Sequence, residues 1–125
     1  MFLFEKLEVY QRAVAFAQRC SDLSRGFPRS SWYLADHLNR AGLSISLNIA
    51  EGSGRGTQAD RRNFFIVARG SVHECIPLIE LSRRKNLIQE SVCRQLRDEV
   101  QSIAKMLSGL IAHTKRAEPS RDERR

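Results

Sequence analysis

The feature that most constrains the fold is a helical spacing of apolar residues in four successive segments. In the first and fourth segments, apolar residues recur at steps of three and four positions, at Val9, Ala13, Phe16, Cys20 and Leu23 and at Leu96, Val100, Ile103, Leu107 and Leu110. This spacing places them on one face of an α-helix, whereas a half-buried strand would alternate with a period of two. No segment shows that alternation over a useful length. The sequence therefore predicts an all-α protein.

Turn-forming residues separate the segments. Gly26 and Pro28 stop the first helix, since glycine favours a helix end and proline cannot continue the helix. Ser30 or Ser31 starts the second helix. Short connections favour antiparallel neighbours, and a chain of 125 residues can bury a core of its own. We therefore expect an up-down-up-down antiparallel four-helix bundle, forming a single domain over residues 1–114.

The third and fourth helices also have recognisable limits. Thr57, followed by Asp60, is a variant capping box at the start of the third helix. Pro77 interrupts that helix without shifting its apolar pattern, which predicts a kink and not a break. The fourth helix begins near Gln89 to Ser91, and its pattern weakens after His113. Residues 115–125 are expected to be a polar, disordered tail.

The second helix is apolar around much of its circumference. One stripe is formed by Leu34, Leu38, Ala41, Ile45 and Asn48, and another is formed by Leu43, Leu47 and Ala50. A helix with two apolar stripes is expected to be buried on more than one side. One bundle core covers only part of that surface, so the pattern favours an oligomer.

The chain is strongly basic, with a net charge of +7 and a pI near 10.0. Most of its cations are arginines, which suit bidentate contacts with phosphates and carboxylates. This balance favours a nucleic-acid or acidic-protein partner. The three cysteines are odd in number and widely spaced, which fits free thiols in a reducing compartment. The apolar N-terminus is too short for a membrane span, so we expect a cytoplasmic protein.

A glycine-rich loop follows the second helix at residues 52–57. It invites comparison with a phosphate-binding loop, but it lacks the GxxxxGK[ST] pattern and a preceding strand. The simpler interpretation is a helix–helix turn in which glycines take left-handed conformations. A weaker form of the phosphate hypothesis remains, in which Arg55 and the amides that open the third helix meet an anion.

Five polar residues lie on or beside the apolar stripes of the second and third helices: Arg40, Asn48, Glu51, Ser71 and Glu74. If these helices are antiparallel neighbours, the five side chains are expected to form a hydrogen-bonded network that fixes helix register. Burying Glu51 or Glu74 is costly without a cation, which Arg40 or Arg69 would supply. A partner-binding pocket is the functional alternative for the same residues.

No catalytic or metal-binding constellation stands out. Di-metal bundles use a Glu-x-x-His motif on two helices, whereas His37, His73 and His113 stand singly. No nucleophile is paired with a base. We therefore expect no enzyme, no metal, no cofactor and no small-molecule substrate.

Basic residues cluster towards both ends of the third helix. Arg55, Arg61 and Arg62 precede or open the helix, and a second group closes it and continues into the fourth helix: Arg83, Arg84, Lys85, Arg94 and Arg97. These residues form either an ordinary solvated face or a surface that tracks a phosphate backbone. In the second case, binding would weaken steeply as salt is added.

Several of these stretches resemble one protein family. They are residues 4–7 with 10–13, residues 38–41, residues 48–52 with Gly54 and Arg55, residues 64–71 with Glu74, and residues 105–107 with 110–111. The runs Asn-Ile-Ala-Glu-Gly and Ala-Arg-Gly-Ser-x-x-Glu are the most specific. Over residues 2 to 114 the chain resembles the bacterial four-helix bundle proteins related to those encoded in 23S rRNA intervening sequences.

The resemblance implies an up-down bundle that assembles as a homopentameric ring with a central channel. A related accessory protein of diversity-generating retroelements binds a reverse transcriptase and nucleic acid, and the family implies no catalytic residues. The expected function is therefore a non-enzymatic, homo-oligomeric accessory protein that binds nucleic acid, RNA in particular. The alternative is a protein–protein interaction scaffold whose basic face docks an acidic partner.

Overall fold

Four α-helices make up the computed structural model, which describes residues 2–118. They are α1 (Glu8–Ser24), α2 (Trp32–Ser53), α3 (Gln58–Arg84) and α4 (Glu90–Ala117). Two short 3-10 segments, Leu3–Lys6 and Arg29–Ser31, precede α1 and α2. No strand occurs within residues 2–118, so the all-α prediction is confirmed.

The helices pack in chain order around one core. α2 lies mainly against α3, and α3 lies mainly against α4; α1 closes the bundle by packing on α2 and, over a smaller area, on α4. This arrangement agrees with the predicted up-down order. Three of these four packing contacts join helices that are neighbours in sequence, and the fourth joins the first helix to the last. Chain positions far apart in sequence are thereby brought to a common end of the bundle.

Each helix contributes apolar residues to the core, but α2 buries only the first of its two predicted stripes, since Leu43 and Leu47 of the second are exposed. Phe16, Ile45, Ile79 and Ile103 are almost completely buried, and they come from four different helices. Burying one such side chain contributes about 1.5–3 kcal/mol relative to leaving it in water. The stripe on each helix therefore accounts for both the helical conformation and the packing of neighbours.

The fourth helix is longer than the sequence pattern indicates. It extends to Ala117, so the predicted limits at His113 and residue 114 fall inside it. Ile111 and Thr114 are buried there, and the Thr114 hydroxyl donates to the Ile111 carbonyl oxygen at 2.6 Å. A threonine that satisfies its hydroxyl locally can occupy a core position, which an apolar stripe does not reveal. Of the predicted tail, residues 119–125 lie outside the described residues.

The third helix has the Thr57 half of the predicted capping box at its start, but no bond from the Asp60 side chain to the Thr57 amide occurs within residues 2–118. The Thr57 hydroxyl accepts a hydrogen bond from the Asp60 amide at 3.1 Å. The helix then runs without a break through Pro77, whose side chain is exposed. The predicted kink at this proline stays a prediction.

Asn86, two residues after the end of the third helix, is left-handed, whereas the glycines of the 52–57 loop, predicted to be left-handed, have no positive φ. Asn86 has a φ of 60°, its amide donates to the Arg83 carbonyl at 2.9 Å, and the Leu87 amide donates to the Ser82 carbonyl at 2.9 Å. These two bonds form a Schellman motif, which satisfies carbonyls at the helix end.

Replacing Asn86 with alanine is expected to lower the free energy of unfolding by about 1 kcal/mol, because alanine is strained in the left-handed region. Asn86→Gly is the matched control and is expected to be at least as stable as the unmodified protein. Urea denaturation followed by circular dichroism measures both variants. An alanine variant as stable as the glycine variant would contradict the assignment of this cap.

Candidate nucleic-acid interface

Two of the five predicted network residues, Asn48 and Ser71, are linked through Ser44 between α2 and α3. The Asn48 amide nitrogen donates to the Ser44 carbonyl at 2.8 Å and to the Ser44 hydroxyl at 3.0 Å. The Ser44 and Ser71 hydroxyl oxygens lie 2.9 Å apart. Ser44 was not among the predicted residues; its spacing of four positions from Asn48 was the available signal. The polar contact between α2 and α3 is therefore a chain from Asn48 through Ser44 to Ser71.

The three charged members lie outside this contact, so the five residues do not form one network. Arg40 pairs with Asp36 at 3.0 Å, and Glu51 pairs with Arg55 at 2.7 Å. Glu74 is exposed. The physical reason is the cost of burying a charge: each charged group turns to solvent, and Arg40 and Glu51 find partners one turn away on their own helix or its end.

The loop end of the bundle, defined as residues 2–8, 51–62 and 113–118, contains Arg55, Arg61 and Arg62. The Arg55 guanidinium, already paired with Glu51, lies 4.6 Å from the centre of the Phe64 ring. Arg61 donates through Nε to the Arg55 carbonyl at 2.9 Å. Arg62 forms a largely buried ion pair with Glu118. Arg55 and Arg62 thus already have acidic partners, whereas Arg61 contacts a backbone carbonyl.

The turn end, defined as residues 22–33 and 80–98, contains the other predicted cations. Arg83 and Arg84 share the Glu80 carboxylate at 2.7 Å and 3.1 Å. Hydrogen bonds from these two arginines lower the pKa of Glu80 to about 2, so the carboxylate stays ionised at neutral pH. Arg94 and Arg97 are exposed, and neither has an acidic partner within 4.0 Å among residues 2–118.

The charge balance differs between the two ends. The turn end has seven cations against four acids: Arg25, Arg29, Arg83, Arg84, Lys85, Arg94 and Arg97 against Asp22, Glu80, Glu90 and Asp98. The loop end is nearly balanced, with six against five: Lys6, Arg55, Arg61, Arg62, Lys115 and Arg116 against Glu5, Glu8, Glu51, Asp60 and Glu118. The turn end is therefore the more basic of the two surfaces.

Exposed aromatic residues accompany the cations at the turn end. Trp32 is 56% exposed and Tyr33 is 51% exposed. The Arg29 guanidinium lies 5.1 Å from the centre of the Trp32 ring, and the Lys85 ammonium lies 6.0 Å from that of Tyr33. Proteins that bind single-stranded nucleic acid combine such stacking surfaces with cations. Sequence reasoning missed Arg25, Arg29 and both aromatics, because they join this end only once the bundle folds.

Other kinds of site find little support in the described residues. Within residues 2–118, no group of three His, Cys, Asp or Glu side chains is placed to hold a metal ion. Nor does any helix there combine the length and apolar character required to cross a bilayer. Cys20, Cys75 and Cys93 are buried free thiols, and burial raises the pKa of Cys20 and of Cys75 to about 12. Such thiols are poor nucleophiles.

Comparison with known proteins agrees with this architecture. The family model for the 23S rRNA-intervening sequence protein matches residues 5–109. Among solved structures, one similar chain is a protein of unknown function from the S23 ribosomal protein family of Bacteroides thetaiotaomicron. It has a TM-score of 0.78 and 24% sequence identity, over 82% of this chain and 97% of that one. That likeness concerns the fold. No curated protein matches the sequence. Since the family model spans most of the chain, the protein belongs to the 23S rRNA-intervening sequence protein family.

Proposed function

We propose that the protein is a non-enzymatic, homo-oligomeric accessory factor that binds RNA through the turn end of its bundle. The observation that carries the proposal is the joint presence of excess cations and two exposed aromatics at that end. Cations neutralise phosphates, and aromatic rings stack on unpaired bases. Single-stranded RNA offers both groups at once, so it fits this surface better than a purely acidic protein. The buried free thiols support a cytoplasmic location.

An oligomer would strengthen such binding. Leu43 and Leu47 on α2 and Val67 on α3 are each about half exposed. The contact between Ser44 of α2 and Ser71 of α3 places these three residues at the same level of the bundle. Leu43 and Leu47 lie within one turn of Ser44, and Val67 lies one turn before Ser71. An exposed apolar surface of this kind is typical of an interface. The family resemblance supports a homopentamer, in which several turn ends would bind one RNA by many weak contacts.

Fluorescence anisotropy with a labelled single-stranded RNA of about 20 nucleotides tests RNA binding. Affinity is expected to fall linearly on a log–log plot against salt concentration, since bound cations displace counterions. The double variant Arg94→Gln/Arg97→Gln is expected to bind about tenfold more weakly, and its salt slope is expected to be smaller by about 1.4, given about 0.7 per lost contact on single strands.

A double variant that removes two cations elsewhere is the matched control. Arg12→Gln/Lys105→Gln changes the net charge equally but leaves the turn end intact. It is expected to retain most of the affinity. Absence of binding by the unmodified protein at about 50 mM salt would contradict RNA binding. Equal losses in both double variants would instead indicate attraction by net charge alone and would contradict the assignment to the turn end.

A further inference from the structure

The loop end contains a cavity that the RNA-binding proposal does not use. Its volume is about 250 Å³, and it lies between the N-terminal 3-10 segment, the start of α3 and the end of α4. Phe4, Leu7, Phe65 and Leu110 form much of its wall. An engineered apolar cavity of about 150 Å³ already admits benzene. The cavity is therefore large enough for one aromatic ring with a small substituent.

Cationic and polar groups complete the lining, and no acidic residue from the described range 2–118 takes part. Arg61 and His113 line the cavity together with Ser53 and Gln58. The Arg61 guanidinium uses Nε for the Arg55 carbonyl, and its terminal nitrogens have no hydrogen-bond acceptor among residues 2–118. A guanidinium presents those nitrogens as a fork that matches a carboxylate. The lining thus combines an apolar body with one cationic recognition group.

The wall formed by the N-terminal segment is already held in place. Phe4 packs edge-on against Tyr10, with the ring centres 5.0 Å apart. The Gln11 side-chain amide donates to the Glu5 carbonyl at 3.1 Å. A ligand would therefore enter a cavity whose wall needs little further ordering, and preformed sites lose less free energy on binding.

We propose that this cavity binds a small organic carboxylate with an aromatic or short aliphatic body. The apolar wall would take the body, and Arg61 would hold the carboxylate. A bare inorganic anion would leave the apolar wall in contact with water, and a neutral hydrocarbon would leave the guanidinium without its acceptor. A site with an apolar wall and a few convergent polar groups is the usual form of a small-molecule site.

Benzoate is the probe that tests this site, and benzamide is its neutral counterpart of the same shape. A titration of the full chain followed by two-dimensional NMR is expected to show benzoate binding with a Kd of about 1 mM, because a ligand with so few atoms can make only a few contacts. The shifted amides are expected to cluster in the N-terminal segment, the start of α3 and the end of α4. Benzamide is expected to bind about tenfold more weakly, because it cannot form the charge-assisted contact.

Two variants test the contribution of charge at the cavity. Arg61→Met keeps the unbranched apolar stem of the side chain and removes the charge, and it is expected to weaken benzoate binding about tenfold. Leu3→Glu places a carboxylate at the cavity and is expected to weaken benzoate similarly; Leu3 is 82% exposed, so the fold should tolerate the change. Arg94→Met at the turn end is the control and is expected to bind benzoate unchanged.

Three results would overturn the carboxylate site. The first is no localised shift up to about 20 mM benzoate. The second is equal binding of benzoate and benzamide. The third is unchanged benzoate affinity in Arg61→Met or in Leu3→Glu while Arg94→Met behaves as the unmodified protein. The proposed RNA-binding surface lies at the opposite end of the bundle. The benzoate results can therefore be interpreted whether or not the protein binds RNA.

Discussion

Replacing Gly52 with alanine is expected to lower the free energy of unfolding by about 2 to 3 kcal/mol, a cost typical of overpacking in a core. Gly52 is buried at the end of α2, where α3 crosses closely. A Cβ atom there would lie 2.9 Å from Phe64 Cβ, 2.9 Å from Phe65 Cε1 and 3.1 Å from the Arg61 carbonyl oxygen. Two of these atoms belong to or adjoin the backbone, so α3 itself would have to move.

Gly109→Ala is the matched control for this change. Gly109 lies in α4, and a Cβ added there meets nothing within 4 Å. Alanine is favoured over glycine in a helix by up to about 1 kcal/mol, so this variant is expected to be slightly more stable than the unmodified protein. Chemical denaturation compares both variants. A free energy of unfolding for Gly52→Ala within about 0.5 kcal/mol of that of the unmodified protein would contradict the close approach of α3 to Gly52.

The double variant Leu43→Glu/Leu47→Glu is expected to convert the proposed oligomer into monomers. Leu43 is 51% exposed and Leu47 is 57% exposed in the single chain. Their replacement should leave the bundle folded, because neither side chain lies in its core. An interface that buried both leucines would gain about 1.5–3 kcal/mol from each, and the variant would instead bury two carboxylates without partners.

Light scattering coupled to gel filtration measures this change in mass. Val14→Glu is the control, since Val14 is an exposed apolar residue of α1 (41%) on a different helix. It is expected to retain the mass of the unmodified protein. An unmodified protein that is monomeric at about 100 µM, or a double variant of unchanged mass, would contradict an interface on α2.

The core could be predicted from the sequence because its residues follow one period. Ala13, Phe16, Cys20 and Ile103 all lie on the predicted stripes and are buried in the structure. The end of α4 could not be predicted in the same way. Thr114 is polar by type, yet it is buried because its hydroxyl bonds to the preceding turn.

The candidate interface was only partly predictable, for a different reason. Arg94 and Arg97 are visible as cations in the sequence, but Arg29 joins them only because an antiparallel bundle returns the α1–α2 connection to the same end. Pairing was also hidden: Arg62 is neutralised by Glu118, more than fifty positions away in sequence. The exposure of each cation and the acid that pairs with it can be read only from the folded structure.

The order of the helices also determines how the molecule can be held in an experiment. The N-terminal 3-10 segment and the last turn of α4 both lie at the loop end, beside the cavity. An affinity handle or dye attached at Leu3 or at Ala117, both exposed, would therefore orient the protein on a support with its Trp32 and Tyr33 surface directed away. Surface-based assays would then leave that aromatic surface accessible to long RNA, while ligands of the cavity would have to approach past the attachment point.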